Sequence, residues 1–235
     1  MENKTLISTI IPVRNGEKYI DEAIQSIANQ KFNNEMEIIV VDDGSTDNTQ
    51  KIVERIIETR HDTSLLNIRY FRKEPAGAIV ARNFGFKQAK GDFILFHDAD
   101  DTLNPDTLQT LYNHFITDSK IQIVLALRKD FYSPEITEEE KRRIPIRAEG
   151  YSGAIAGCAL IRRQVFDAVG LFDENLKMAG DAIEWLMRLE KHEIKTLKIN
   201  FIAVNRRIHQ DNMGRTATVE QHLDYAAILR QRLKK

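Results

Sequence analysis

Short continuous apolar runs alternate with helical periodicities through the first half of the chain, and each run ends in a polar cluster. Leu6–Val13 reads as a buried strand ending at a proline, Met36–Val41 as a second, Ile68–Phe71 as a third and Phe93–Phe96 as a fourth, with a fifth over Ile121–Leu127. Between them lie stretches whose apolar residues recur at three and four spacing: Tyr19, Ile20, Ala23, Ile24 and Ile27, then Ile52, Val53, Ile56 and Ile57 behind an Asp47 cap. Two further helices are expected over Ala76–Ala89 and Thr107–Phe115. Repeated strand–helix–strand units dictate an α/β fold with a mostly parallel sheet and helices on both faces. In such sheets ligands bind beyond the carboxyl ends of the strands. The polar clusters at 14–17, 42–45 and 98–101 all fall at such ends, so they should converge on one crevice.

After Leu127 the pattern changes. Residues 129–150 are charged and aperiodic, with Pro134, Pro145 and the run Glu138–Arg143, and read as a long loop of functional or disordered character. Order returns with a glycine-rich apolar segment from Gly153, then Val165–Gly170, a helix near Ile183–Glu190, a pair of short strands over Lys195–Val204 and a terminal helix over Val219–Leu233. A length of 235 residues suits one domain of this class.

Composition narrows the function classes. With 34 basic and 35 acidic residues the chain carries no electrostatic footprint for nucleic acid. Cys158 is the only cysteine, so a reducing, cytoplasmic setting is expected, and its apolar neighbours make it a buried small hydrophobe. No stretch approaches a transmembrane segment. The basic tail Arg230–Lys235 suits a solvated helix end or a peripheral membrane contact.

Three clusters carry chemistry. Asp98 and Asp100, at i and i+2 past the fourth strand, can both face a hard cation such as Mg²⁺ or Mn²⁺ and leave positions open for phosphate oxygens. They could also form only a polar turn into the helix at Pro105. Asp42–Asp43–Gly44–Ser45 is either a capped turn or a strand end whose carboxylate accepts a base N–H or a ribose hydroxyl. Arg82, one turn into a helix opened by Gly77, is either an exposed helix residue or a phosphate or carboxylate ligand in the crevice.

Together these motifs resemble the family 2 glycosyltransferases, which have the GT-A fold. The match runs through Pro12–Val13–Arg14–Asn15, the D-D-G-S at Asp42–Ser45, the G-x-x-x-A-R-N at Gly77–Asn83, the D-x-D-D at Asp98–Asp101 and a later block at Arg162–Glu174. The resemblance implies a single GT-A domain over residues 1–235: a nucleotide-sugar half (1–128), an acceptor and catalytic half (129–215) and a C-terminal helix (216–235). It implies that Pro12, Arg14, Asn15 and Asp43 hold a nucleoside, commonly uridine, with Asp98 near ribose and metal and Asp100 on the metal. The metal would be Mn²⁺ or Mg²⁺, offsetting charge on a departing nucleoside diphosphate.

The family's general base is normally the aspartate of a G-E-D motif. Here Gly180–Asp181–Ala182–Ile183–Glu184 departs from that pattern, with Asp181 the first candidate base and Glu184 the second. A base there removes the acceptor's proton as its oxygen attacks, and the transfer inverts configuration. Arg206–Arg215 suits a flexible lid: Arg206 or Arg215 would meet phosphate, and His209 would complete the metal shell as a histidine does in many GT-A enzymes. The implied partners are a nucleotide-diphosphate sugar and a glycan, lipid-linked or small-molecule acceptor. Trp185 could stack on an acceptor sugar or belong to the core.

Two other readings compete. Phe96–Leu103 looks like the D-x-D-G-T-L of haloacid-dehalogenase-type phosphatases, although that motif normally opens its fold and here three strand–helix units precede it. The altered G-E-D motif also fits a nucleotide-sugar-binding module that has lost catalysis.

Overall fold

A computed structural model describes residues 5–60, 66–147, 149–152, 155–176, 181–210 and 212. In chain order the elements are β1 (Leu6–Val13), α1 (Ile20–Ala28), β2 (Glu35–Asp42), α2 (Thr49–Thr59), β3 (Leu66–Arg72), α3 (Ala78–Gln88), β4 (Phe93–Phe96) and β5 (Thr102–Leu103). They continue with α4 (Thr107–Thr117), β6 (Ile123–Tyr132), α5 (Glu138–Arg143), β7 (Tyr151–Ser152), β8 (Ala159–Arg162), α6 (Gln164–Val169), α7 (Asp181–Leu189) and β9 (Thr196–Ile208). The strands form one sheet in the order β3-β2-β1-β4-β8-β6-β9-β5, with β7 on β6. The run β3-β2-β1-β4 is parallel, as the alternation predicts, and so is the β6–β9 pair. Strands β8, β5 and β7 pair antiparallel to their neighbours.

The central strands are buried on both faces, which is why they read as continuous apolar runs. Ile7, Ile11 and Val13 of β1 pack with Ile20, Ile24 and Ile27 of α1 on one side; Ile10 packs with Ile79 and Phe86 of α3 on the other. Each fully buried isoleucine contributes about 1.5–3 kcal/mol relative to exposure. At Gly85 a methyl group would lie 2.4 Å from Ile10 Cγ2, so the missing side chain lets α3 seat directly on β1.

Within this sheet Glu37 of β2 is a buried polar node. Its Oε1 accepts from Ser8 Oγ at 2.5 Å and Lys90 N at 2.6 Å, and its Oε2 from Arg69 at 2.7 Å. Burial pushes the carboxyl pKa up, but the hydrogen bonds from Ser8, Lys90 and Arg69 outweigh it and hold the group below the ordinary glutamate value. A depressed folded-state pKa gives stability that is complete above the unfolded value and is lost as pH falls through the folded one. Glu37→Leu is expected to cost about 3–5 kcal/mol in urea melts at neutral pH, since it strands three polar partners. The gap to the parent protein should narrow at acid pH.

Several elements depart from the sequence reading. Strand β6 runs on to Tyr132, and the segment read as a loop holds α5, started by a Thr137–Glu140 capping box. The expected pair of strands over 195–204 is one strand, β9, of 13 residues. Asn48, not Asp47, stands at the N-cap of α2, although Asp47 Oδ1 accepts the Thr49 N–H at 3.0 Å. The terminal helix expected over 219–233 lies outside the described residues, as do Gly180 and Arg215. Among the described residues no helix is long and apolar enough to cross a membrane.

Candidate active site

The carboxyl ends of β1, β2 and β4 carry the three polar clusters, and hydrogen bonds tie them together. The loop after β1 is zipped to the loop after β2: Asn15 N donates to Ser45 Oγ at 2.9 Å, Thr46 N donates to Asn15 Oδ1 at 2.8 Å, and Gly16 N donates to Thr49 Oγ1 at 2.8 Å. Asn15 adopts a left-handed conformation (φ 54°), which its short amide side chain tolerates. Pro12 is buried within β1, while Arg14 stands exposed at the rim.

The two aspartates after β2 behave differently. Asp42 is fully buried and satisfied, with Ser45 N at 2.7 Å on Oδ1 and the Tyr70 hydroxyl at 2.5 Å on Oδ2. Asp43 is also buried, and its two oxygens accept the N–H groups of Ala76 (2.7 Å) and Gly77 (2.8 Å) ahead of α3. Those bonds fix the carboxylate in one orientation and leave each oxygen a second acceptor position. Gly44, at φ 76°, makes the turn close: a side chain there would strike Pro75.

Helix α3 links both sides of the crevice through consecutive residues. Arg82 donates to Asp98 Oδ1 at 3.0 Å, placing a guanidinium on the first aspartate of the D-x-D. Asn83 Nδ2 reaches Phe172 O and Glu174 Oε1, both at 2.9 Å, and its Oδ1 accepts Phe172 N at 3.2 Å. Asn83 thereby fastens the segment that leads to α7, a role its place in the motif did not reveal.

Asp98 and Asp100 are partly exposed at the crevice, and Asp101 is buried behind them. Asp100 Oδ2 meets His209 Nε2 at 2.9 Å and the amide Nδ2 of Asn212 at 3.1 Å. Burial pushes Asp100 up, but the His209 hydrogen bond and charge outweigh it, and its pKa lies below the usual range. Asp101 is driven the other way by burial and by the charges of Asp100 and Asp98; its Oδ1 accepts the Arg207 N–H at 2.9 Å. His97 is fully buried, with Nε2 against Asp101 O at 3.1 Å and Nδ1 without a hydrogen-bond partner among the described residues.

Asn212 is the site residue that sequence reasoning missed. Its Oδ1 accepts His209 N at 2.7 Å, and its amide also donates to Arg207 O at 3.1 Å, so one side chain sets both His209 and Asp100. Arg206 and Arg207, read as part of a lid, belong to strand β9. Arg207 is buried, its Nε donating to Asp100 O at 3.0 Å and its guanidinium between the Tyr19 and Phe131 rings. Arg206 turns toward Asp130, 3.7 Å away.

Asp181 opens α7. Glu184, one turn on, is buried and paired through Oε1 with Arg188 Nε at 2.7 Å, while its Oε2 has no partner among the described residues. Arg188 also binds the carbonyls of Val169 and Leu171 at 2.6 Å, which pins α7 to the end of α6. Trp185 is core: fully buried, stacked on Phe166 at 5.0 Å, with Nε1 donating to Gly170 O at 2.8 Å. Cys158 is buried and its thiol is pushed up to about 12 by burial, which makes it inert.

Among the described residues no three histidine, cysteine or acidic side chains converge as a ready metal cage. Two carboxylates at an open strand end are nevertheless the donor set from which Mg²⁺ or Mn²⁺ is held when phosphate oxygens and waters complete its shell.

The sequence model for Glycosyl transferase family 2 matches residues 8–170. An uncharacterized glycosyltransferase of Rickettsia typhi is 30% identical over 246 residues, covering 98% of this chain and 72% of that protein. The poly(ribitol-phosphate) beta-N-acetylglucosaminyltransferase TarS of Staphylococcus aureus is 42% identical over 103 residues, 43% of this chain and 17% of TarS, so this chain spans a small part of that protein's length. The crystal structure of S. aureus TarS 1-349 in complex with UDP-GlcNAc superposes with a TM-score of 0.73 at 25% identity, covering 94% of this chain and 65% of that one.

Proposed function

The chain belongs to glycosyl transferase family 2, and from that premise we propose that it is an inverting, metal-assisted glycosyltransferase that moves a sugar from a UDP-sugar to an acceptor hydroxyl. The observation that carries this reading is the pairing at the end of β4: Arg82 on Asp98, and His209 with Asn212 on Asp100. The haloacid-dehalogenase-type phosphatase reading is dropped, because the family match takes in the three strand–helix units that precede β4 and Asp98.

The residues divide the work by place. Asp43, oriented by Ala76 and Gly77, accepts from the uracil ring or the ribose, with Pro12, Arg14 and Asn15 forming the neighbouring wall. Asp98 and Asp100 would hold a divalent metal, Mn²⁺ or Mg²⁺, and His209, beside Asp100, would be its nitrogen donor. The metal, when bound, supplies positive charge against the diphosphate as it departs. Arg82 keeps Asp98 aimed. Asp181 takes the proton of the acceptor hydroxyl as that oxygen forms its bond to the anomeric carbon. The bond from that carbon to the UDP oxygen breaks on the opposite face, so configuration inverts. Glu184, held by Arg188, supports the helix that presents Asp181.

TarS is named as an N-acetylglucosaminyltransferase, and its structure was solved with UDP-GlcNAc. UDP-GlcNAc is therefore the first donor to test here, and a cytoplasmic polymer or lipid-linked glycan the first acceptor class. Incubation with a panel of nucleotide sugars and Mn²⁺ should release UDP from one or more of them. Release from none, with a folded protein, would reduce the chain to a binding module or remove the reading.

Asn212→Ala is expected to weaken Mn²⁺ binding in the presence of UDP by about 10–100-fold, the usual effect of losing a residue that orients a ligand. Electron paramagnetic resonance titration of free Mn²⁺ measures it without reference to turnover.

A further inference from the structure

Strands β6, β7 and β9 carry a second polar cluster that the donor site does not use. Arg128 and Tyr151 are register partners across β6 and β7, and Asp130 and Arg206 are register partners across β6 and β9. Partners of this kind share a face of the sheet, and their contacts agree. Tyr151 donates its hydroxyl to Asp130, and Arg206 lies 3.7 Å from the same carboxylate. The guanidinium of Arg128 sits 5.1 Å from the Tyr151 ring centroid and that of Arg147 sits 4.5 Å from it. Three arginines thus gather around one tyrosine and one aspartate. Burying the Nε of Arg128 without a hydrogen-bond partner among the described residues is costly for a charged group.

The cluster's position separates it from the nucleoside side. Nucleoside-side residues ride on β1, β2 and β4, whereas β6 lies beyond β8 from β4, two strand spacings or roughly 10 Å away. Arg206 comes nearest to the carboxylates, since its neighbour Arg207 binds Asp101 through the backbone. An excess of guanidinium groups with aromatic backing, on the acceptor side of the reacting centre, matches a tetrahedral oxyanion with several acceptor oxygens.

We propose that Arg128, Arg147 and Arg206 around Tyr151 form an acceptor-side phosphate site, so that the acceptor is a phosphate-bearing molecule and not a neutral glycan. The proposal deepens the glycosyltransferase reading and rests on it. The phosphate meets the guanidinium of Arg128, with Arg147 beside it at the exposed rim. Arg206, expected from the sequence to meet the donor's diphosphate, is assigned here to the acceptor instead.

Calorimetry on the full chain with UDP and Mn²⁺ present tests the site with bis(glycerol) phosphate as probe and free glycerol as the neutral control. The phosphodiester should bind and glycerol should not. Arg128→Gln should weaken the phosphodiester by roughly tenfold or more, while UDP affinity stays as in the parent protein. Arg147→Ala, at an exposed residue that cannot unfold the chain, should weaken it by a smaller factor. Four results would overturn the proposal: no phosphodiester binding where UDP binds, equal binding of glycerol, no change in either variant, or displacement of UDP by the probe. A selective loss of UDP-glucuronate binding over UDP-glucose in Arg128→Gln would also overturn it, by assigning the site to a donor carboxylate. Absence of UDP binding in the parent protein would instead strike the glycosyltransferase reading itself.

Discussion

Asp100→Asn should lower sugar transfer by about 10²–10³-fold, the loss that follows removal of one fixed charge from a site where charge develops in the reaction. The substitution keeps size and shape, so folding should be retained. What changes is the charge that draws both a metal and the His209 ring, whose Nε2 lies 2.9 Å from Oδ2. The variant should also need far more Mn²⁺ to reach half-maximal rate. A loss below about tenfold, or an unchanged Mn²⁺ requirement, would remove Asp100 from the metal site.

Asp181→Ala is the second large effect expected. Loss of a general base costs about 10²–10⁴-fold, and the loss should fall on kcat while KM for the donor changes little. Glu184→Gln should behave differently. Its Oε1 is paired with Arg188, and Arg188 holds the carbonyls of Val169 and Leu171, so the variant should lower thermal stability and affect turnover less. Steady-state kinetics beside a melting curve for both variants separate the roles. If Glu184→Gln abolishes kcat while Asp181→Ala leaves it intact, the base assignment is reversed.

The first half of the chain was legible because β1, β2 and β4 are buried on both faces and leave unbroken apolar runs such as Phe93–Phe96. Helices α1, α2 and α4 show one apolar stripe each, as Ile20, Ile24 and Ile27 do. The second half was harder for a physical reason. Residues 128–132 of β6 are only partly buried, pair with β7 and β9, and carry Arg128, Lys129 and Asp130 where a core strand would carry valine or isoleucine. Polar side chains satisfied by cross-strand partners leave no apolar period to read. Helix α5 has no buried residue, so it reads as loop, and only its capping box could have announced it.

The site shows the same division. Asp98, Asp100 and Asp43 stand at predicted strand ends and could be named from sequence. Arg82 needed the structure to show that it reaches Asp98. Asn212 could not be read in advance, because a lone asparagine after an arginine-rich stretch has no period and no motif of its own. Its importance arises only when β9 brings His209 against Asp100, more than a hundred residues away in sequence.

The most direct measurement is isothermal titration of the full chain with UDP, in Mn²⁺ and again in EDTA. Binding in Mn²⁺ that weakens by roughly tenfold or more in EDTA is the predicted result, since the diphosphate would lose the ion joining it to Asp98 and Asp100. Equal affinity in EDTA would contradict the metal's role in holding the nucleotide. Absence of binding in both conditions would contradict the nucleotide-sugar site altogether.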